Sequence, residues 1–114
     1  MVKLSVVISA FNEEQKITEC LESVKWVDEI IFVDSSSGDD TQKIAKKYTD
    51  KILSRPNNPM LNINKNFGFT KATGNWILSL DADERVTSEL RKEIELVINN
   101  SSSVANGYWI PRKN

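Results

Sequence analysis

The chain has 114 residues, 39% of them hydrophobic and 27% charged, with 15 basic and 16 acidic side chains mixed along its length. That is the size and composition of one soluble globular domain able to bury a core without disulfides. The scattered charge leaves no basic stripe to track a phosphate backbone, so no nucleic-acid partner is expected. Histidine is absent and Cys20 is the single cysteine, which excludes serine-histidine and cysteine-histidine catalysis, histidine metal sites and an internal disulfide. Chemistry here must therefore run through carboxylates, lysine, tyrosine or a metal. No run approaches the ~18 consecutive apolar residues of a membrane span, and no charged stretch followed by an apolar signal region opens the chain. A cytoplasmic protein is expected.

In chain order, Leu4 to Ala10 is a β-branched apolar run, the mark of a strand covered on both faces. Asn12, followed by Glu13 and Glu14, predicts a helix start, with Ile17, Cys20, Leu21 and Val24 on its inner face. A second strand is expected over Glu29 to Val33, broken by the serine-rich stretch Asp34 to Asp40, and a helix over Thr41 to Tyr48 with Ile44, Ala45 and Tyr48 inward. A short strand, Lys51 to Leu53, leads into a loop from Ser54 to Pro59. Residues 60 to 73 read as a helix that Gly74 ends. The strand Trp76 to Leu80 follows, then a helix near Thr87 to Asn99, capped by Thr87 or Ser88, with Leu90, Ile94, Val97 and Ile98 inward. The polar run Asn99 to Ser103 predicts a loop, and Gly107 to Pro111 a last strand.

Strand and helix alternating at this spacing imply right-handed crossovers and a mostly parallel α/β sheet flanked by helices. Ligands of such sheets bind beyond the carboxyl ends of the strands, where strand order reverses. Three polar groups fall at such ends: Phe11-Asn12-Glu13, Asp34-Ser35 and Asp81-Ala82-Asp83. Carboxylates at i and i+2 leaving a strand can converge on one hard cation, Mg²⁺ or Mn²⁺, which favours oxygen ligands and keeps positions open for phosphate. With four glycines in all, neither a dinucleotide fingerprint nor a P-loop can be built.

Taken together, Leu4 to Glu13 ending in Ala-Phe-Asn-Glu, Val33-Asp34 before a serine-rich turn and Asp40-Thr41, Lys65-Asn66, and Gly74 to Asp83 resemble a family 2 glycosyltransferase of the Rossmann-like GT-A fold. Within that family the chain is most similar to bacterial enzymes that extend lipopolysaccharide core or related envelope glycans. The resemblance implies an inverting, metal-dependent transfer of a sugar from a nucleotide diphosphate donor, a UDP-sugar first among them, to a glycan or glycolipid. It implies that Asp83 and Asp81 hold Mg²⁺ or Mn²⁺, Asp81 reaching the ribose or a metal-bound water. Nucleotide-sugar contacts are implied for Ala10, Phe11, Asn12 and Glu13, for Asp34, and for Arg55 and Lys65. It further implies that residues 1–114 are the donor-binding part, that the acceptor half with the catalytic base lies elsewhere, and that the longer protein works at the inner face of the membrane.

Several of these residues also have plain structural readings. Asn12 and Glu13 suit a helix cap and first turn, Asp34 could hydrogen-bond backbone in its turn, and Arg55 and Lys65 could be surface cations. The sequence departs from the family at Ser35, where many relatives carry an acid that helps recognise uracil, and no residue matches the catalytic base; Glu84 adjoins the metal pair and Glu93 lies on a helix surface. A sugar nucleotidyltransferase fits less well, because the acidic Phe11 to Glu14 replaces the glycine-rich, basic loop of such enzymes. A donor-binding module without transfer is the non-enzymatic alternative. Apolar surface left by a missing half is expected to drive self-association.

Overall fold

The computed structural model describes residues 4–35, 37–56, 63–100 and 108–110. Strands β1 (Leu4–Ala10), β2 (Glu29–Asp34), β3 (Ile52–Ser54), β4 (Trp76–Asp81) and β5 (Tyr108–Ile110) form one sheet in the order β3-β2-β1-β4-β5. Every described strand pair is parallel. The chain runs outward from β1 through β2 to β3, then returns to place β4 on the other side of β1. Strand order therefore reverses between β1 and β4, and a crevice opens above their carboxyl ends.

The pleat of β1 divides the core. Leu4, Val6, Ile8 and Ala10 face one layer, packing with Ile17, Cys20, Leu21 and Val24 of α1 (Ile17–Val24), Ala45 of α2 (Thr41–Ala45) and Leu90 and Ile94 of α4 (Ser88–Asn100). On the opposite face Val7 joins Ile31, Val33 and Ile77 beneath Phe69 of α3 (Ile63–Lys71) and Ala72 just beyond it. Helix α3 lies close to the sheet at Gly68, where an added Cβ would stand 2.6 Å from Val7 Cγ1 and 2.7 Å from Val33 Cγ2. Both neighbours are fully buried valines with nowhere to move. Gly68→Ala is therefore expected to cost about 1–3 kcal/mol through overpacking, read as a lower urea midpoint; an unchanged midpoint would show that the layer yields.

At the amino ends of the strands a buried carboxylate ties four segments together. Glu29 is 5% exposed. It accepts hydrogen bonds from Ser5 Oγ at 2.6 Å, Thr73 N at 2.8 Å and Thr73 Oγ1 at 3.0 Å, and is ion-paired with Lys51. Ser5 Oγ in turn accepts from Gly74 N at 2.9 Å. Burial works against the charge of Glu29, but the hydrogen bonds from Lys51, Ser5 and Thr73 outweigh it and hold the carboxyl at about 2.

The elements differ from the sequence expectation in several places. Helix α1 begins at Ile17 and Asn12 is not its cap: Asn12 has φ 53°, and its side chain reaches across to another loop. Asparagine is among the few residues that tolerate the left-handed region. Helix α2 stops at Ala45, because Lys47 N and Tyr48 N turn back to Ile44 O and Ala45 O, tightening the chain so that Thr49 Oγ1 can bond Ile30 O. Strand β3 runs one residue later than Lys51 to Leu53, and β4 continues into Asp81.

Gly74 does not end a helix. Helix α3 finishes at Lys71, and Gly74 is small because a Cβ there would stand 2.7 Å from Ser5 Oγ and 2.8 Å from Ser5 N. Thr87 caps α4, accepting from Leu90 N at 3.1 Å, but Val97 is 48% exposed, off the line of Leu90, Ile94 and Ile98 four residues apart. Asn99 and Asn100 belong to α4 rather than to a loop. The start of the expected 60–73 helix, part of the Ser54 to Pro59 loop, the run 101–103, and residues 107 and 111 lie outside the described residues. Among those described, no helix is long and apolar enough to cross a membrane.

Candidate functional site

Strand β4 delivers Asp81 to the crevice, in register with Ser9 of β1, and the chain crosses over with Ala82 N bonded to Ser9 O at 3.1 Å. Ala82 is buried, which turns the flanking carboxylates outward. A tight turn follows. Glu84 N bonds Asp81 O at 2.9 Å, and one oxygen of Glu84 accepts from Asp81 N at 2.8 Å. As a result the carboxylates of Asp81, Asp83 and Glu84 each bring an oxygen within 4.8 Å of the others. Three negative charges so close repel one another, and a hard divalent cation is the partner that relieves this. The donor set is all oxygen, the set Mg²⁺ and Mn²⁺ accept.

Helix α1 buttresses this turn from below. Cys20 Sγ lies 3.8 Å from Asp81 O as a weak donor, and Ser23 Oγ accepts from Val86 N at 2.9 Å. Burial, reinforced by the charges of Glu84, Asp83, Asp81 and Glu13, pushes the Cys20 thiol up to about 12. It stays protonated and unreactive as a core group. Beside the triad a cleft of about 300 Å³, lined by Gln15, Lys16, Glu19, Asp83, Glu84 and Arg85, opens the carboxylates to solvent, the route a hydrated cation needs.

The other predicted residues surround the same crevice in different states. Ala10 is buried and its carbonyl accepts from Ser35 N at 2.9 Å, whereas Phe11 stands 44% exposed at the end of β1. Asn12 and Glu13 follow in the turn before α1. Asp34, by contrast, is 4% exposed, and both of its oxygens face Ser37. Arg55 is anchored by its backbone N to Asp34 O at 2.8 Å, and its guanidinium lies 4.2 Å over the ring of Phe67. Ser35 Oγ accepts from Asn64 Nδ2, which also donates to Pro56 O, both at 2.8 Å. Lys65 lies on α3, and its side chain is outside the described residues.

Sequence reasoning missed three participants. Glu84, which the sequence places only beside the metal pair, belongs to the acidic cluster by geometry; a third acid directly after Asp-x-Asp is the available signal. Ser9 Oγ is buried without a hydrogen-bond partner among the described residues, opposite Asp81. Nothing in an apolar strand flags that serine. Phe67 carries the Arg55 guanidinium, a contact made only by tertiary packing.

Residues 5–113 match the sequence model of the family described as Glycosyl transferase family 2. An uncharacterized glycosyltransferase of Rickettsia typhi is 39% identical over 98 residues, covering 85% of this chain and 33% of that protein. The crystal structure of residues 1–349 of Staphylococcus aureus TarS, a poly(ribitol-phosphate) beta-N-acetylglucosaminyltransferase, superposes with a TM-score of 0.72 at 29% identity, covering 85% of this chain and 32% of that one. Glucosyl-3-phosphoglycerate synthase of Mycobacterium tuberculosis, solved with Mn²⁺, UDP and glucosyl-3-phosphoglycerate, gives a TM-score of 0.63 at 25% identity over 74% of this chain and 36% of its own. The chain thus spans between a fifth and a third of the length of the curated relatives it matches, 20% of full-length TarS and 33% of the Rickettsia typhi protein.

Proposed function

Because this chain belongs to glycosyl transferase family 2 and has the parallel sheet of the GT-A fold, we propose that it forms the donor-binding part of a metal-dependent, inverting glycosyltransferase. The observation that carries this is the convergence of Asp81, Asp83 and Glu84 beside the β1–β4 switch point. Asp81 and Asp83 would hold Mg²⁺ or Mn²⁺, with Glu84 fixing the turn and offering a third oxygen. A bound cation would supply Lewis-acid stabilisation of a departing diphosphate. The chain's own residues orient the donor. The 10–13 loop borders the nucleotide, the exposed Phe11 offers an apolar surface to base or sugar, and Arg55, held over Phe67, supplies a fixed positive charge near the phosphates.

The donor class is a nucleotide diphosphate sugar, with UDP the nucleotide we favour. Two neighbours of this chain were solved with UDP, TarS and the mycobacterial synthase. For the acceptor we propose a glycan or glycolipid of the bacterial envelope, lipopolysaccharide core among them, approached at the cytoplasmic face of the membrane. Motif resemblance supports that choice.

The test is calorimetric titration of the chain with UDP in Mn²⁺ and in EDTA. We expect binding in the micromolar range with the metal, about −8 kcal/mol, and none detectable in EDTA. Equal binding in both would remove the metal from the site.

A further inference from the structure

Asp34 ends β2 beside the crevice, yet it is buried, 4% exposed, with both carboxylate oxygens already taken. Its Oδ2 accepts from Ser37 N at 3.1 Å and its Oδ1 from Ser37 Oγ at 2.5 Å. Ser37 Oγ then accepts the backbone N–H of Asn12 at 2.9 Å, across to the loop after β1. Asn12, held in its left-handed conformation at φ 53°, returns the contact by accepting from Gly38 N at 2.7 Å. The next two amides are also taken: Glu13 N donates to Thr41 Oγ1 at 2.9 Å and Glu14 N to Asp39 Oδ2 at 3.3 Å. Asp39 is itself fixed by Thr41, which donates to it from both N and Oγ1.

Three consecutive amides at a strand-to-helix junction are the groups that usually receive an anion. Here all three are satisfied by side chains of the 37–41 segment. We propose that Asp34 is a positioning residue which, acting through Ser37, straps the first nucleotide loop into its left-handed shape, and that it makes no contact with the nucleotide itself. The proposal rests on the donor-binding reading above. It changes where the diphosphate charge is met: with the loop amides occupied, neutralisation falls to Arg55 and to the cation that Asp81, Asp83 and Glu84 would hold, and the strap fixes the loop that borders them.

The experiment is a double-mutant cycle on Asp34→Ala and Ser37→Ala, with Ser37→Thr as the conservative variant. It is read as UDP affinity in Mn²⁺ and as amide hydrogen exchange at Asn12, Glu13 and Glu14 in the unliganded chain. Each single alanine variant is expected to weaken UDP binding about tenfold, the size of one lost hydrogen bond. The double variant should bind within about twofold of either single, because both act on one strap. Exchange at Asn12 should accelerate in both alanine variants without ligand, and Ser37→Thr, which keeps the hydroxyl, should retain wild-type affinity and protection. Additive losses would make Asp34 a ligand in its own right and overturn the proposal; so would an unchanged Asn12 exchange rate in Ser37→Ala. If the wild-type chain binds no nucleotide, the donor-binding reading fails, and the exchange measurement alone decides the strap.

Discussion

Glu29→Ala is expected to destabilise the chain by about 3 kcal/mol. The carboxylate is buried and receives Ser5, both donors of Thr73, and Lys51. Its removal leaves Thr73 N and Ser5 Oγ without their acceptor and unpins the turn from α3 into β4. Lys51 is 54% exposed in its side chain, so water rehydrates the ammonium, which sets the loss at the lower end for a broken buried pair. Urea denaturation of the two proteins at pH 7 measures it, and a difference under about 1 kcal/mol would mean that the cluster merely fills space.

The same group gives a pH signature of defined sign. Its carboxyl is at about 2 in the fold against the ordinary 4.5. A depressed carboxylate adds stability that is fully present above the unfolded value and is lost as pH falls through the folded one. The gap between wild type and Glu29→Gln should therefore be constant above about pH 5 and should shrink between roughly pH 4.5 and 2. The titrating part is on the order of 2–3 kcal/mol once the solvent screening of Lys51 is allowed for. A gap that stays constant down to pH 2 would show that the charge contributes nothing.

Asp83→Asn is expected to lower UDP affinity in Mn²⁺ by a hundredfold or more, about 2.7 kcal/mol, while leaving the urea midpoint unchanged. Asp83 is exposed and no packing depends on it, so the loss would report ligand chemistry and not folding. Glu84→Gln should lie between the two proteins: it loses a charge from the cluster, but the amide oxygen can still accept from Asp81 N and hold the turn. Wild-type binding by Asp83→Asn in Mn²⁺ would place the cation elsewhere.

Much of this layout was readable from residue order. Continuous apolar runs at 4–10 and 76–80 gave buried parallel strands because both faces of the sheet are covered, and the helical faces of Ile17, Cys20, Leu21 and Val24 and of Leu90 and Ile94 follow from the 3.6-residue period. The Asp-x-Asp at a strand end was legible because its position, more than its composition, marks it. What stayed hidden depends on contacts distant in sequence. Asn12 before two glutamates carries the same local signal whether it caps a helix or bridges to Gly38, and only the neighbouring loop decides. Glu29 looks like a polar strand start, yet its partners Ser5 and Thr73 lie 24 and 44 residues away. Gly74 carries a helix-stop signal although its size is set by Ser5.

A shared cation is tested most directly by an electron paramagnetic resonance titration of free Mn²⁺ against the chain, with and without UDP, and against UDP alone. Protein and UDP together should remove more Mn²⁺ from the free signal than the two do separately if, as proposed, the carboxylates of Asp81, Asp83 and Glu84 and the diphosphate would hold the ion together, and Asp83→Asn should abolish that excess. Mn²⁺ binding that is no stronger with UDP present, or an excess that survives in Asp83→Asn, would contradict a shared cation in this crevice.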